Sequence, residues 1–526
     1  MSDDVRSAGV NSEADPSGAA ASPLALSMDI GTSSIKAALV DVEHGVVAQR
    51  AVPLPYVAEN VVDAQAVWDA SAGLIADLLH GGQASRIAGV VLSGQGDGLW
   101  GVGVDGRGTL SYTWNSTFAA DVVADWERAG VVDQLYRITG TVIWPGTSAA
   151  LWRWLKAEHP ERAAAIRTVF CAKDFVGYCL TGVEATDYSD GTIPFTDPHT
   201  AELSPEVFAL LGCEDLRARI PRIAHAGELL GRVTAEASAA SGLKAGTPVY
   251  VGAIDCVASV RGAGVSEEHQ AVVSLGTTTA AFVLTHDPVP IPEPVGASLV
   301  WPDAAVADTG DSVDAGVDSA AGVDSADAAG PALTLRVLGS SSGAKVLEWF
   351  LDRHGYAGDG KYDRFWADVE SAGDGHGEIM LPFLYGERVP FLSPAATGAF
   401  VGIVPATTIG DLGRAVVEGI AFSLRHCLES CGEVRDVVLT GGGTGDDRFS
   451  QLIADVLGRS VAVDTDPQIG VTGIAAYVPG FESLAHRAAH IRRFEPAGER
   501  VSALERRYRR YRALIDALLP IWNQTE

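Results

Sequence analysis

Leu24-Ala-Leu-Ser-Met-Asp-Ile-Gly-Thr-Ser-Ser-Ile-Lys-Ala-Ala-Leu-Val40 reads as two short strands, Leu24–Ile30 and Ile35–Val40, folded about the polar turn Gly31-Thr-Ser-Ser34. Residues 41–45 then turn the chain again. The pattern returns at Ala271-Val-Val-Ser-Leu275, Gly276-Thr-Thr-Thr279 and Ala280-Ala-Phe-Val283, with the same apolar arms and the same Gly-Thr turn. Two such units, about 245 positions apart in a chain of 526 residues, predict two domains built on one plan, since a single core rarely grows to that length. The expected boundary falls near Arg261–Gly264, giving a first domain over 24–262 and a second over 263–526.

Working outward, Gly89-Val-Val-Leu-Ser93 predicts a buried strand, followed by the glycine-rich loop Gly94-Gln-Gly-Asp-Gly98 and a strand ending at Asp105-Gly106. A helix is expected over Ala149–His159, stopped by Pro160. Another covers Ala503–Leu519, with Arg506, Arg507, Arg509, Arg510 and Arg512 on a solvated face. Residues 1–23 are rich in Ser, Ala and Asp and read as a disordered tail, not a signal peptide. Residues 303–331 carry seven Asp and no Lys or Arg, in near-repeats such as Gly316-Val-Asp-Ser319, which predicts a mobile acidic surface insertion.

The net charge of −29 argues against nucleic acid or an anionic membrane as partner, because both are held by clustered cations. Six scattered cysteines form no Cys-x-x-Cys pair and fit neither a disulfide framework nor a zinc knuckle. No apolar run approaches the ~18 residues that span a bilayer. A cytoplasmic location is expected, and nothing in the sequence speaks against a homodimer.

The turn Asp29-Ile-Gly-Thr-Ser-Ser-Ile-Lys36 has the parts of a phosphate site. Gly31 admits a phosphate close to the backbone, Thr32 and Ser33 add hydroxyl and N–H donors, Lys36 adds a cation, and Asp29 is placed to hold Mg²⁺ through water. Turns of this composition also occur as ordinary hairpins. Gly339-Ser-Ser-Ser-Gly-Ala-Lys345 has the wrong spacing for a Walker A loop, and no Gly-x-Gly-x-x-Gly opens a helix after the first strand.

Read together, the motifs resemble those of the FGGY carbohydrate kinases, a branch of the actin-like ATPases. The matching runs are Asp29–Lys36, Lys173-Asp-Phe-Val-Gly-Tyr-Cys-Leu-Thr-Gly182 with Thr186-Asp-Tyr-Ser189, Val249-Tyr-Val-Gly-Ala-Ile-Asp255 and Gly276-Thr-Thr-Thr279. Further along come Leu381-Pro-Phe-Leu-Tyr-Gly-Glu-Arg-Val-Pro390 through Gly402, Arg414–Gly419, Thr440-Gly-Gly-Gly443 with Gln451–Asp455, and Gly470–Ala476. The resemblance covers roughly residues 24–515. It implies an α/β fold of two ribonuclease H-like domains with a catalytic cleft between them, and transfer of the γ-phosphoryl group of ATP, with Mg²⁺, to a hydroxyl of a small sugar or polyol. It further implies Asp255 as general base, against the plain alternative of a helix cap. Gly276 and Thr277 would cradle phosphate, while Gly441, Gly442 and Gly443 would pass close to the nucleotide, Gln451–Asp455 and Gly470–Ala476 belonging to its adenosine end. Glu387 and Arg388 are read as a structural ion pair at the domain interface, and Asp187 as a loop-positioning residue.

The acceptor is expected at Gln95, Asp97, Trp100 and Asp255: Gln95 and Asp97 for hydroxyls, Trp100 for an apolar face. The Gln-Gly-Asp-Gly loop looks closer to kinases of erythritol and L-xylulose than to the Gln-Met-His-Gly of xylulose kinases. Where the family often reads Trp-x-Asp-x-Arg, this chain has Trp114-Asn-Ser-Thr-Phe118. Loss of that Asp and Arg leaves open a catalytically weakened relative acting as a sensor of sugar or nucleotide. An assembly ATPase is the third class, disfavoured by the motif at Gly386-Glu-Arg388.

Overall fold

The computed structural model describes residues 22–191, 193–289, 294–303, 332–373, 375–486 and 491–524. The tail expected over 1–23 and the insertion expected over 303–331 therefore lie, apart from Ser22, Pro23 and Asp303, outside the described residues.

The first sheet contains β1 (Leu24–Ile30), β2 (Ser34–Asp41), β3 (Gly45–Pro53), β4 (Ile87–Gly94), β5 (Leu229–Arg232) and β6 (Pro248–Ile254), in the order β5-β6-β4-β1-β2-β3. The run β1-β2-β3 is an antiparallel meander, β4 and β6 join parallel to β1, and β5 closes the edge antiparallel. The second sheet contains β7 (Gln270–Leu275), β8 (Thr279–Thr285), β9 (Ala297–Val300), β10 (Thr334–Ser340), β11 (Asp436–Thr440), β12 (Val461–Asp464) and β13 (Ile491–Phe494). Its order is β9-β10-β8-β7-β11-β12-β13. Here β7-β8-β10 is the antiparallel meander, β11 and β12 run parallel to β7, and β13 closes antiparallel. Six strands of one sheet thus repeat in the other, with β9 as an addition. The echo of the two Gly-Thr hairpins is the visible part of that repeat.

Each sheet buries one face in its own core. Leu26, Met28, Ile30 and Val90 belong to the first, with Val67, Leu74 and Ile75 of helix α1 (Ala64–Leu78) and Phe175 and Val176 of helix α2 (Ala172–Thr181). Val273, Val283 and Leu338 belong to the second, with Val416, Ile420 and Phe422 of a long helix over Ile409–Glu429. The opposite faces meet. Ala38, Val40, Val91, Val272, Leu284 and Leu335 share a third apolar cluster with two short helices, α3 (Asp255–Gly262) and α4 (Ile469–Ala475). These helices cross with backbones in contact: a Cβ on Gly473 would fall 2.1 Å from the Ala258 carbonyl oxygen, and one on Gly262 2.0 Å from that of Ile469. Gly470–Ala476, expected at the adenosine end, instead forms this crossing behind Asp255, because its small residues allow the approach.

The helix expected at Ala149–His159 spans Ser148–Glu158, and Pro160 then starts a further short helix at its first position, where its missing N–H costs nothing. The C-terminal helix runs over Gly498–Trp522. Its arginines do not all face water. Arg507 is mostly buried and pairs with Glu418 at 2.9 Å, and Arg512 pairs with Glu429, so part of the row docks the helix onto the second domain. All six cysteines are free, and no helix of the described residues is long and apolar enough to cross a membrane.

Candidate active site

The hairpin β1–β2 sets Asp29 opposite Lys36, and the parallel pairing with β4 sets it beside Ser93. Lys36 Nζ lies 4.0 Å from Asp29. Burial raises the Asp29 carboxyl above the usual range, opposed by Lys36 and Ser93. One of its oxygens, Oδ1, is buried with no hydrogen-bond partner among the described residues. In the turn itself the Gly31 N–H donates to the Ser34 carbonyl at 3.0 Å, and Thr32 is held from outside: its hydroxyl accepts from Trp114 Nε1 at 2.9 Å and its carbonyl from the Tyr56 hydroxyl at 2.8 Å. Ser33 is exposed beside it.

Asp255 follows β6 as the first residue of α3, with Ile254 in the cap position, so the helix-cap alternative is not what the chain adopts. The residue as a whole is exposed, yet protein crowds its carboxyl group. That crowding, and next the negative charge of Asp29, push its pKa up to about 7. The exposure of the residue works against the rise.

The loop expected to hold the acceptor lies between these two groups. Gln95 donates its backbone N–H to the Ile30 carbonyl at 2.9 Å and its Nε2 to the Gly31 carbonyl at 3.3 Å, leaving Oε1 buried without a partner among the described residues. Gly96 passes so close to Ile254 that a Cβ would fall 1.9 Å from its Cδ1, which requires glycine there. Asp97, at φ 57°, accepts from the Ser148 N–H at 2.7 Å through Oδ1, anchoring the helix Ser148–Glu158, while Oδ2 is buried and unpartnered among the described residues. Burial holds this carboxyl well above its ordinary value. Trp100 is a correction. Its strand pairs with Ile166–Phe170 and turns the indole fully into the first domain's core, so it offers no face to a substrate.

Beneath the loop lies a buried charge cluster that the sequence reading met only as a motif. Lys173 Nζ lies 2.6 Å from Asp174, 2.7 Å from Asp187 and 3.4 Å from Asp190, all four fully or nearly buried. With three carboxylates to one ammonium, burial and mutual repulsion push Asp190 up to about 7 despite the nearby lysine. Asp190 accepts from the Asp97 N–H at 2.9 Å. Asp187 accepts from the Ser189 N–H at 2.7 Å and from its hydroxyl, and that hydroxyl accepts from the Ile254 N–H at 3.1 Å. The cluster therefore reaches both the acceptor loop and the residue before Asp255.

In the second domain a cavity of about 930 Å³ is lined by Gly276, Thr277, Gly442 and Gly443, with Trp366, Phe449 and Arg448 among its walls. Its size suits a nucleotide. Gly441 does not line it. At φ 89° it takes a left-handed turn, and a Cβ would meet the Leu275 carbonyl oxygen at 2.9 Å, whereas Gly442 has open space. Arg448 stacks 5.5 Å from Trp366 and pairs with Asp446 and Asp363; no motif singled these residues out, because they come together only across two helices and a loop. Of the adenosine-end run Gln451–Asp455, Asp455 is buried and pairs with Arg500. Glu387 and Arg388 form no ion pair with each other. Glu387 is buried and accepts from Ser340, Ser342 and the Ser341 and Arg388 N–H groups, while Arg388 is exposed.

Two repeated ribonuclease H-like sheets, each with a Gly-Thr turn between its first two strands and with a carboxylate at the helix between them, define the class of actin-like phosphotransferases. The chain belongs to the FGGY family of carbohydrate kinases, whose N-terminal domain matches residues 24–262 and whose C-terminal domain matches residues 271–477. It is 28% identical to an L-xylulose/3-keto-L-gulonate kinase of Escherichia coli strain K12, over 94% of this chain and 97% of that protein. It is 25% identical to an erythritol kinase of Brucella abortus, over 95% and 97%. Among solved structures, a xylulose kinase from Rhodospirillum rubrum superposes with a TM-score of 0.81 at 24% identity, covering 95% of this chain and all of that one, a likeness of fold.

Proposed function

We propose that this enzyme transfers the γ-phosphoryl group of ATP to a hydroxyl of a tetritol, pentitol or ketopentose, with residues 24–262 holding the acceptor and 263–526 the nucleotide. The observation that carries this reading is Asp255, an exposed residue across the Gln95–Gly98 loop from the first phosphate turn, with a pKa raised to about 7 that suits a base at neutral pH. The acceptor hydroxyl gives its proton to this carboxylate as its oxygen bonds to the γ-phosphorus and ADP departs. Gly31, Thr32, Ser33 and Lys36 face the phosphate from one side, Gly276 and Thr277 from the other. Asp29, with its unpartnered buried oxygen, fits a water-mediated Mg²⁺. Bound there, the ion would neutralise charge on the phosphate oxygens. The buried acceptors on Gln95 and Asp97 favour a ligand rich in O–H donors, and their lack of positive charge disfavours a sugar acid. The relative named for erythritol and the L-xylulose part of the Escherichia coli relative's name support the same class, while the 3-keto-L-gulonate in that name is a sugar acid that the assay panel must include.

The sensor alternative rested on Ser116 and Phe118. Phe118 stacks on Trp154 at 5.0 Å and packs edge-on to Tyr112, so it joins an aromatic cluster. The Phe118 half of the departure is taken up by ring contacts, which favours retained catalysis. The acidic net charge disfavours a nucleic-acid or anionic-membrane partner, and a cytoplasmic location is part of the same reading. A coupled ADP-release assay with Mg-ATP across tetritols, pentitols, ketopentoses, ketohexoses, glycerol and aldonates tests the reading. One neutral polyol or ketopentose is expected to stimulate turnover well above basal hydrolysis. Nucleotide binding with silence across the panel would move the assignment to the sensor.

A further inference from the structure

The pair Glu387-Arg388, inside the run Leu381–Gly402 that carries part of the family resemblance, has no role in the site built from Asp29, Asp255 and the two turns. The two residues behave oppositely. The Glu387 carboxylate accepts from the Ser340 hydroxyl at 2.8 Å, the Ser342 hydroxyl at 3.0 Å, the Ser341 N–H at 2.8 Å and the N–H of Arg388 itself at 2.8 Å. Four bonds to a buried carboxylate pin the backbone from which the Arg388 side chain leaves.

Side chains of a strand alternate between faces. On β10, Leu338 enters the second domain's core, while Leu335 lies in the apolar cluster shared with the first domain and Val337 packs against it. Gly339 is on the Leu335–Val337 face, and a Cβ there would lie 3.8 Å from Arg388 Nη2. The guanidinium therefore lies over the face turned to the first domain, at the strand end where Ser340 pairs with Thr279 of the second phosphate turn.

A second cation stands nearby. The Lys345 N–H donates to the Thr277 carbonyl at 3.2 Å, which ties its helix, Ala344–Arg353, to the same turn. Its ammonium sits 4.1 Å over the Tyr385 ring, and burial, then the charge of Arg388, lower its pKa. Neither Lys345 nor Arg388 takes part in an ion pair among the described residues, in a chain of net charge −29. Two like charges held beside a phosphate turn repel each other, and an anion between them relieves that repulsion.

We infer that Arg388, assisted by Lys345, contacts the non-bridging oxygens of the phosphoryl group in transit when the cleft closes on both substrates. The inference rests on the kinase reading of the Asp255 site. In the step it serves, the bond from the γ-phosphorus to the oxygen bridging to the β-phosphate breaks and a bond to the acceptor oxygen forms. The acceptor proton passes to Asp255, and the guanidinium keeps all its protons.

The test compares full-length wild type with Arg388→Ala and Arg388→Lys, measuring acceptor-dependent kcat, ADP affinity by calorimetry, and kcat with added ethylguanidinium. Loss of a donor to a transition-state oxygen is expected to lower kcat of the Ala variant about 10²–10³-fold. ADP affinity should stay within about threefold, since ADP lacks the group being contacted. Ethylguanidinium should restore part of the activity to the Ala variant and none to wild type, and the Lys variant should fall in between. Arg388 is exposed, so all three proteins should fold alike. A kcat unchanged by the Ala substitution, a loss without rescue, or an equal loss of ADP affinity would overturn the inference. A wild type that binds ADP but turns over no acceptor would instead bring down the kinase reading, and this inference with it.

Discussion

Asp255→Asn is expected to lower acceptor-dependent kcat roughly 10²–10⁴-fold, the usual worth of a positioned general base, while ATP binds as before. The amide keeps the shape of the side chain and removes only its capacity to take a proton. The pH dependence gives the same residue a second signature. Because its pKa is raised to about 7, Asp255 is protonated and idle below that value. In wild type kcat/KM for the acceptor should therefore fall about tenfold per pH unit on the acid side of ~7 and level off above it. The residual activity of the Asn variant should lack that limb. A coupled assay from pH 5.5 to 8.5, with calorimetric ATP binding as control, checks both. Asn retaining more than about a tenth of wild-type turnover would remove Asp255 from the role.

Lys173→Met should produce the largest stability change. The ammonium is 1% exposed and stands against Asp174, Asp187 and Asp190, so its removal leaves three carboxylates facing one another in a dry site. Removing one partner of a buried ion pair costs about 3–5 kcal/mol, and protonation of the freed carboxylates absorbs part of that. The first domain's unfolding transition in urea should move to markedly lower denaturant. Asp97 and Ile254 hang on the same cluster through Asp190 and Ser189, so any folded variant should also show a raised KM for the acceptor. An unchanged midpoint would mean that the cluster is not the support it looks like.

What the sequence disclosed and what it hid follow from the range of the interactions. The two Gly-Thr hairpins were legible because strand alternation and turn chemistry are local, and their echo announced the repeat before any pairing was known. Asp255 was pointed to by the family resemblance, since its own surroundings in the sequence, a strand before and a helix after, suggested only a cap. Trp100 was misread, since one aromatic residue after a glycine-rich loop carries no sign of which side of the strand it will take. Arg507 looked solvated within an arginine-rich helix because its partner, Glu418, lies 89 positions away. Glu387 and Arg388 were adjacent and opposite in charge, which suggested a pair, yet neighbouring side chains on an extended backbone diverge. The Lys173 cluster draws Asp187 and Asp190 from beyond the end of the helix, and no spacing rule brings them back. The cavity of the second domain shows the same limit, its glycines readable and Trp366 and Arg448 not.

The central claim is phosphoryl transfer to carbon-bound hydroxyl, and the phosphorus spectrum of the reaction tests it without a coupling enzyme. Mg-ATP and the acceptor that stimulates ADP release would be incubated with the protein and followed by ³¹P NMR. The account predicts that the γ-phosphate signal is replaced, one for one with ADP, by a phosphomonoester coupled to the protons of the acceptor carbon. Appearance of inorganic phosphate in its place, with the acceptor unmodified, would contradict it and leave an ATPase in a kinase fold.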